Sequence, residues 1–103
     1  MTDNRRTSTR HTVSIAVKVV VDGAPRDATM VNLSLGGALV ETGSRHGMGQ
    51  RMTITFRVPT MEEPIEVGST VRWAAGEGVG LQFDGLRARD VWALNEYFKQ
   101  LQP

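Results

Sequence analysis

The chain has 103 residues, 40% hydrophobic and 22% charged, with a net charge of +1 and no cysteine. These residues suffice for one modest core and not two. The missing cysteine excludes disulfides, thiolate metal sites and cysteine nucleophiles, and the near-neutral charge argues against a field that gathers long nucleic acids. No run approaches the roughly 18 apolar residues of a membrane span, and the start of the chain does not read as a signal peptide. A soluble cytoplasmic protein with no membrane insertion is expected.

In chain order, residues 1–11 are polar and arginine-rich and are expected to form a flexible arm. From Thr12 the pattern becomes a period of two, with Val13, Ile15, Val17, Val19 and Val21 on one face, and Asp22-Gly23 gives a hairpin signal. Arg26 to Leu33 reads as a second strand and Ala38 to Glu41 as a third. Met52, Ile54, Phe56 and Val58 alternate in a fourth that stops at Pro59. Ile65 to Ala74 forms a fifth with Gly68 as a candidate bulge, and Val79, Leu81 and Phe83 mark a sixth.

After Asp84-Gly85 the period turns helical, with Val91, Leu94, Phe98 and Leu101 on one stripe of a helix over about 87–101. The fold class implied by these elements is mainly all-β. A six-stranded antiparallel small β-barrel carries a flexible N-terminal arm (1–11), and residues 12–103 form a single domain ending in one C-terminal α-helix.

Ten of the twelve basic residues are arginine, and three of those, Arg5, Arg6 and Arg10, fall in the first ten positions. Two arginines four apart can grip phosphate oxygens or the edge of a purine, because guanidinium is planar, always charged and offers a fork of donors. Further on, Asn32-Leu33-Ser34-Leu35-Gly36-Gly37 is a short polar turn between two strands. Asn32 and Ser34 carry donors and acceptors on short stems, and Gly37 permits close approach of the backbone. Taken singly, the first motif is an arginine-rich tail and the second an Asx or Ser turn that satisfies its own backbone.

Together, the RxxxR of Arg6 to Arg10 and the NxSxxG of Asn32 to Gly37, followed by a strand-rich body and a terminal helix, resemble the PilZ family of bacterial cyclic di-GMP receptors. The resemblance implies a stand-alone receptor for that second messenger. In it, Arg6 and Arg10 fold over the ligand toward guanine edges, guanine faces and phosphates, Asn32 meets a guanine edge, and Ser34 and Gly37 lie beside the guanine or phosphate. A basic residue at Arg5 accompanies, in this family, binding of a stacked pair of ligand molecules. Asparagine stands at position 32 where many members carry aspartate. The ligand, cyclic di-GMP, is the only small molecule implied, with no cofactor, and signalling passes to an unidentified downstream protein; control of motility or biofilm formation is a family association.

Trp73 reads first as core, sharing a face with Val71, and second as a platform for a base. Trp92 lies beside the helical stripe and suits barrel packing or a partner surface equally. His11 and His46 have no carboxylate at ligand spacing, so no metal site is expected. No nucleophile elbow and no phosphate loop are present, so no catalysis is expected. Two other classes stay open: a PilZ-like adaptor that acts through protein contacts without ligand, and a small barrel that puts the basic arm on RNA or DNA.

Overall fold

The computed structural model describes residues 9–101. Within them lie six strands, β1 (His11–Val21), β2 (Ala24–Leu33), β3 (Gly37–Glu41), β4 (Arg51–Phe56), β5 (Ile65–Ala75) and β6 (Gly78–Phe83), and one helix, α1 (Ala88–Leu101). The strands close into an antiparallel barrel in the order β1-β2-β3-β6-β5-β4. The alternation in the sequence is the cause: Val17, Val19, Met30, Val40, Met52, Ile54, Val67, Val71, Val79 and Leu81 all point inward and are buried. The β1–β2 hairpin turns at Asp22 and Gly23, both at positive φ (53° and 80°), as a two-residue turn that matches strand twist requires.

The closure is incomplete at one seam. β1 pairs with β4 only from Val17 to Val20, so the first half of β1 has no β4 partner. Helix α1 packs against the start of β1 at this end of the barrel. The His11 ring stacks on Phe98 with centroids 4.1 Å apart and planes at 16°, and Thr60 Oγ1 donates to the Ala93 carbonyl at 2.6 Å. At the start of the helix, the Arg87 carbonyl accepts from the amides of Asp90 and Val91, both at 3.0 Å. The Asp90 carboxylate, 1% exposed, reaches back to the Arg87 amide (3.3 Å) and guanidinium (3.1 Å). That is the returning half of a capping box, and it explains how a carboxylate tolerates burial here.

Two expectations change. Gly68 is not a bulge: it sits in regular register opposite Thr53, and the β5 irregularity falls between Val71 and Trp73. The docked stripe of α1 is Asp90, Ala93, Leu94 and Phe98, with Tyr97 packed beside them, while Val91 is half-buried and Leu101 is 39% exposed. The polar Asp90 belongs to the buried face because its cap is there, which a hydrophobicity count does not register. Leu94→Ala should therefore cost about 2–5 kcal/mol, whereas Leu101→Ala, on the same sequence stripe, should stay within about 0.5 kcal/mol. Urea unfolding of the two variants side by side checks the difference.

Candidate ligand-binding site

Register turns five strands into one row. Thr12 on β1 faces Asn32 on β2, Asn32 faces Leu39 on β3, Leu39 faces Gly80 on β6, and Gly80 faces Trp73 on β5. On the flanking rows Leu33, Ala38, Leu81 and Val71 are buried in the core, so the Asn32–Trp73 row belongs to the outer wall of the barrel. Bulges put it there. In β2 the step from Met30 to Asn32 opposes the single step from Val40 to Leu39, so Met30 and Leu33 both face inward and Asn32 faces out. In β5 the step from Val71 to Trp73 opposes Leu81 to Gly80. Each extra residue reverses the inward–outward parity of the rest of its strand.

Trp73 is thereby removed from the core that a strict period of two gives it. It is 42% exposed while Val71 is 1% exposed. Its indole lies flat across Gly80: a Cβ built there would fall 2.2 Å from Trp73 Nε1 and 2.5 Å from Cε2. Gly80 thus lets the ring lie back toward β3 and Asn32. Leu39, Glu41, Gly43, Trp73, Ala75, Glu77 and Gly78 surround a cleft of about 450 Å³ at this end of the row. Neither Leu39 nor Gly80 is distinguished in the sequence; only the register brings them under the indole.

At the other end, Asn32 and the turn after it have unlike roles. The Ser34 hydroxyl accepts from the amides of Gly36 (3.2 Å) and Gly37 (3.1 Å) and donates to the Gly37 carbonyl at 3.2 Å. The Ser34 amide also donates to that carbonyl at 2.9 Å, and the Phe83 amide donates to the Gly36 carbonyl at 2.9 Å. Ser34 is buried, and its bonding capacity is taken up in shaping the turn and fixing it to the end of β6. Gly37 is held by the sheet itself, since a Cβ there would lie 2.0 Å from the Leu81 carbonyl oxygen.

Asn32 is the opposite case. Its Oδ1 is shielded from solvent and accepts no hydrogen bond among the described residues. An acceptor left so costs about 1–3 kcal/mol, a cost that a ligand's donor would remove. Arg10 lies one residue ahead of His11, which pairs with Leu33, so Arg10 stands near the Ser34 turn. Arg10 is exposed and forms no salt bridge to another described residue. Arg5 and Arg6 lie outside the described residues. Of the seven sequence candidates, the structure brings Arg10, Asn32, Ser34 and Gly37 to one corner and sets Trp73 three strands away in the row of Asn32.

The described residues thus set an exposed arginine beside a hydroxyl-stitched glycine turn and, on the wall of a small barrel, an amide oxygen with no hydrogen-bond partner among them. The family profile of the PilZ domain matches residues 4–100, and the chain belongs to the PilZ domain family. Three solved structures share its fold. The inhibitor of motility MotI/DgrA of Bacillus subtilis aligns at TM-score 0.75 and 19% identity over 97% of this chain and 55% of that one. The PilZ domain of CeSA from a cellulose-synthesizing bacterium aligns at TM-score 0.70 and 15% identity, over 92% of this chain and 100% of that one. The PlzA protein of Borreliella burgdorferi, solved in complex with cyclic di-GMP, aligns at TM-score 0.61 and 18% identity over 95% of this chain and 38% of that one. The chain thus spans about half of the Bacillus protein. No curated protein sequence matches it.

The contrast between Ser34 and Asn32 has a measurable consequence. Ser34→Ala should lower stability by about 1–3 kcal/mol, because it strands two amides of the turn. Asn32→Ala should leave stability unchanged or raise it slightly, since it removes an acceptor that has no partner among the described residues. Thermal melts of both variants decide this; equal losses would mean that Asn32 is a structural residue.

Proposed function

We propose that the domain is a receptor for cyclic di-GMP, and not an enzyme, in which the RxxxR arm closes over a ligand seated on the outer wall at Asn32. Arg6 and Arg10 supply guanidinium groups to the guanine O6/N7 edge, to base faces and to the phosphates, and Arg5 adds a contact suited to a stacked pair of ligand molecules. Asn32 Oδ1 takes a donor from a guanine edge. Ser34 and Gly37 keep the turn in a shape that leaves that edge accessible. Trp73 provides an aromatic face at the far end of the row. The observation that carries this reading is the orphaned Oδ1 of Asn32 beside the base of the arm. Membership of the PilZ family and the fold shared with PlzA, solved with this ligand, support the choice of cyclic di-GMP.

The energetics require several contacts at once. Micromolar affinity corresponds to about 8 kcal/mol, and immobilising a chain segment on binding takes up roughly 2–5 kcal/mol of the gross interaction. A hydrogen bond to a charged group contributes about 1.5–3 kcal/mol, so neither arginine suffices alone. Binding draws the arm onto the barrel wall and presents a surface that the free domain lacks, through which a partner protein is engaged. The fold shared with an inhibitor of motility fits an output of this kind.

Calorimetric titration with cyclic di-GMP, with GTP and linear diguanylate as controls, tests the reading. Arg10→Ala should weaken binding about tenfold to hundredfold, and the Arg6→Ala, Arg10→Ala double variant should abolish it. Absence of heat with the cyclic dinucleotide in large excess favours a ligand-free adaptor. A steep salt dependence with no preference for cyclic over linear nucleotide points instead to RNA or DNA.

A further inference from the structure

The seam of the barrel leaves one stretch of strand unpaired. β4 accompanies β1 only from Val17 to Val20 and ends at Phe56, so the run from His11 to Ala16 has β2 on one side and no strand on the other. Along such an edge, alternate residues turn their N–H and C=O groups away from the strand they already pair with. Between this edge and the 57–64 segment runs an open groove of about 720 Å³, with Ser14, Ile15 and Ala16 on one wall and Arg57, Pro59 and Pro64 on the other. At about 3.4 Å per residue the free stretch is roughly 20 Å long. A bulge between Thr12 and Ile15 bends its far end, which limits a regular ladder to a short run.

The two walls are unlike. Proline has no N–H, so the wall with Pro59 and Pro64 has little to give a ladder, and the main-chain partners for a strand come from β1. The lining is apolar where Ile15 and Tyr97 meet the groove, both half-buried and packed against the core. The charged residues that line it are Lys18, Asp27 and Arg57. Lys18 is neutralised by Asp27 at 2.5 Å. Arg57 is exposed, donates through Nη1 to the Glu62 carbonyl at 2.5 Å, and forms no salt bridge among the described residues. One uncompensated cation therefore stands beside an apolar strip and a free strand edge.

We infer that this seam is a docking site for an extended segment of a partner protein, roughly four to six residues long, which adds a strand to β1 and alternates apolar with acidic residues. Main-chain bonds to β1 supply affinity, the apolar side chains of one face cover Ile15 and Tyr97, and a carboxylate from the other face meets Arg57. Residues 1–8 do not suit the groove: they hold one apolar residue, Met1, and two arginines, which repeat the charge already there. A second copy is no better, since its six strands are engaged in its own barrel. The free edge is the side of β1 away from β2 and Asn32, so the site stands open without a nucleotide.

Blocked octapeptides test this on the full chain, by calorimetry and by amide spectra. The probes are alternating Val-Glu, alternating Val-Lys, and the Val-Glu peptide N-methylated either at every valine or at every glutamate. Val-Glu should bind, shift the amide signals of Ser14, Ala16 and Arg57, and slow hydrogen exchange along the edge. It should bind about threefold to tenfold more tightly than Val-Lys, and Arg57→Gln should bring the two within about twofold. Arg57 is exposed, so the thermal midpoint of that variant should hold. Residues of a strand that bond one neighbour alternate with those that bond the other, so one methylated peptide should lose binding while the other keeps it.

No binding of Val-Glu in large excess overturns the proposal, and so do shifts that bypass residues 14–16. Equal loss or equal retention of binding by the two methylated peptides overturns strand addition. A preference for Val-Glu that survives Arg57→Gln overturns the acidic partner. None of these results touches the receptor reading, which the titration with cyclic di-GMP decides separately.

Discussion

Everything that makes this barrel more than a core depends on two misalignments in its hydrogen-bond ladder. A strand of strict alternation buries every second residue, and Met30, Asn32 and Val71, Trp73 are each two apart. Without the bulges, Asn32 and Trp73 would compete for core space with Met30 and Val71, an amide and an indole among Val, Ile and Leu. The extra residue in β2 and in β5 reverses parity at a defined place, so the core keeps its apolar lining while the two polar-capable side chains emerge on one outer row. The site is a by-product of neither strand alone; it exists because both are offset at the same level of the barrel.

That row needs a flat wall, and two glycines supply it for different reasons. Gly80 leaves room for an aromatic ring to lie against the sheet, which holds the indole in one pose where a side chain at position 80 would push it outward. Gly37 allows the Leu81 carbonyl to approach β3 at its first residue, which in turn sets where the Ser34 turn stands. Ser34 then locks the turn from within. The rigid part of the site is thus made by residues whose bonding is complete, and the reactive part by Asn32, whose bonding is not. Such a division is expected where a site must keep its shape without ligand and yet hold something in reserve for it.

The elements themselves are readable in the sequence because each is locally consistent: alternation in β1 and β4, Asp22-Gly23 at the hairpin, and a change of period after Gly85. The departures are of a different kind. Alternation puts Trp73 in the core because it assumes an unbroken ladder, and Gly68 suggests a bulge because it is a glycine inside a strand; the interruption at Arg72 depends on pairing with β6, not on anything in β5. The helix stripe is displaced because Asp90 is buried by its bonds to Arg87, which hydrophobicity does not anticipate. The candidate corner coincides with the Asn32 to Gly37 motif and with Arg10, both visible in the sequence; the cleft beyond it is not, since Leu39, Glu41, Glu77 and Gly80 become neighbours of Trp73 only when three strands are in register.

The placement of α1 bears on where β1 begins beside this wall. His11, the first residue of β1, is turned inward and stacked on Phe98, while the residues on either side of it, Arg10 and Thr12, are exposed. An aromatic contact of this type contributes about 0.5–1.5 kcal/mol beyond the area it buries, enough to hold β1 in register at a point where β4 no longer supports it. With β2 paired to His11 on one side and Phe98 stacked on its ring, the start of β1 is held at two points next to Arg10. The helix therefore acts at a distance from the Asn32 row: through its contact with His11 it fixes the start of β1, and with it the place on the barrel at which Arg10 stands.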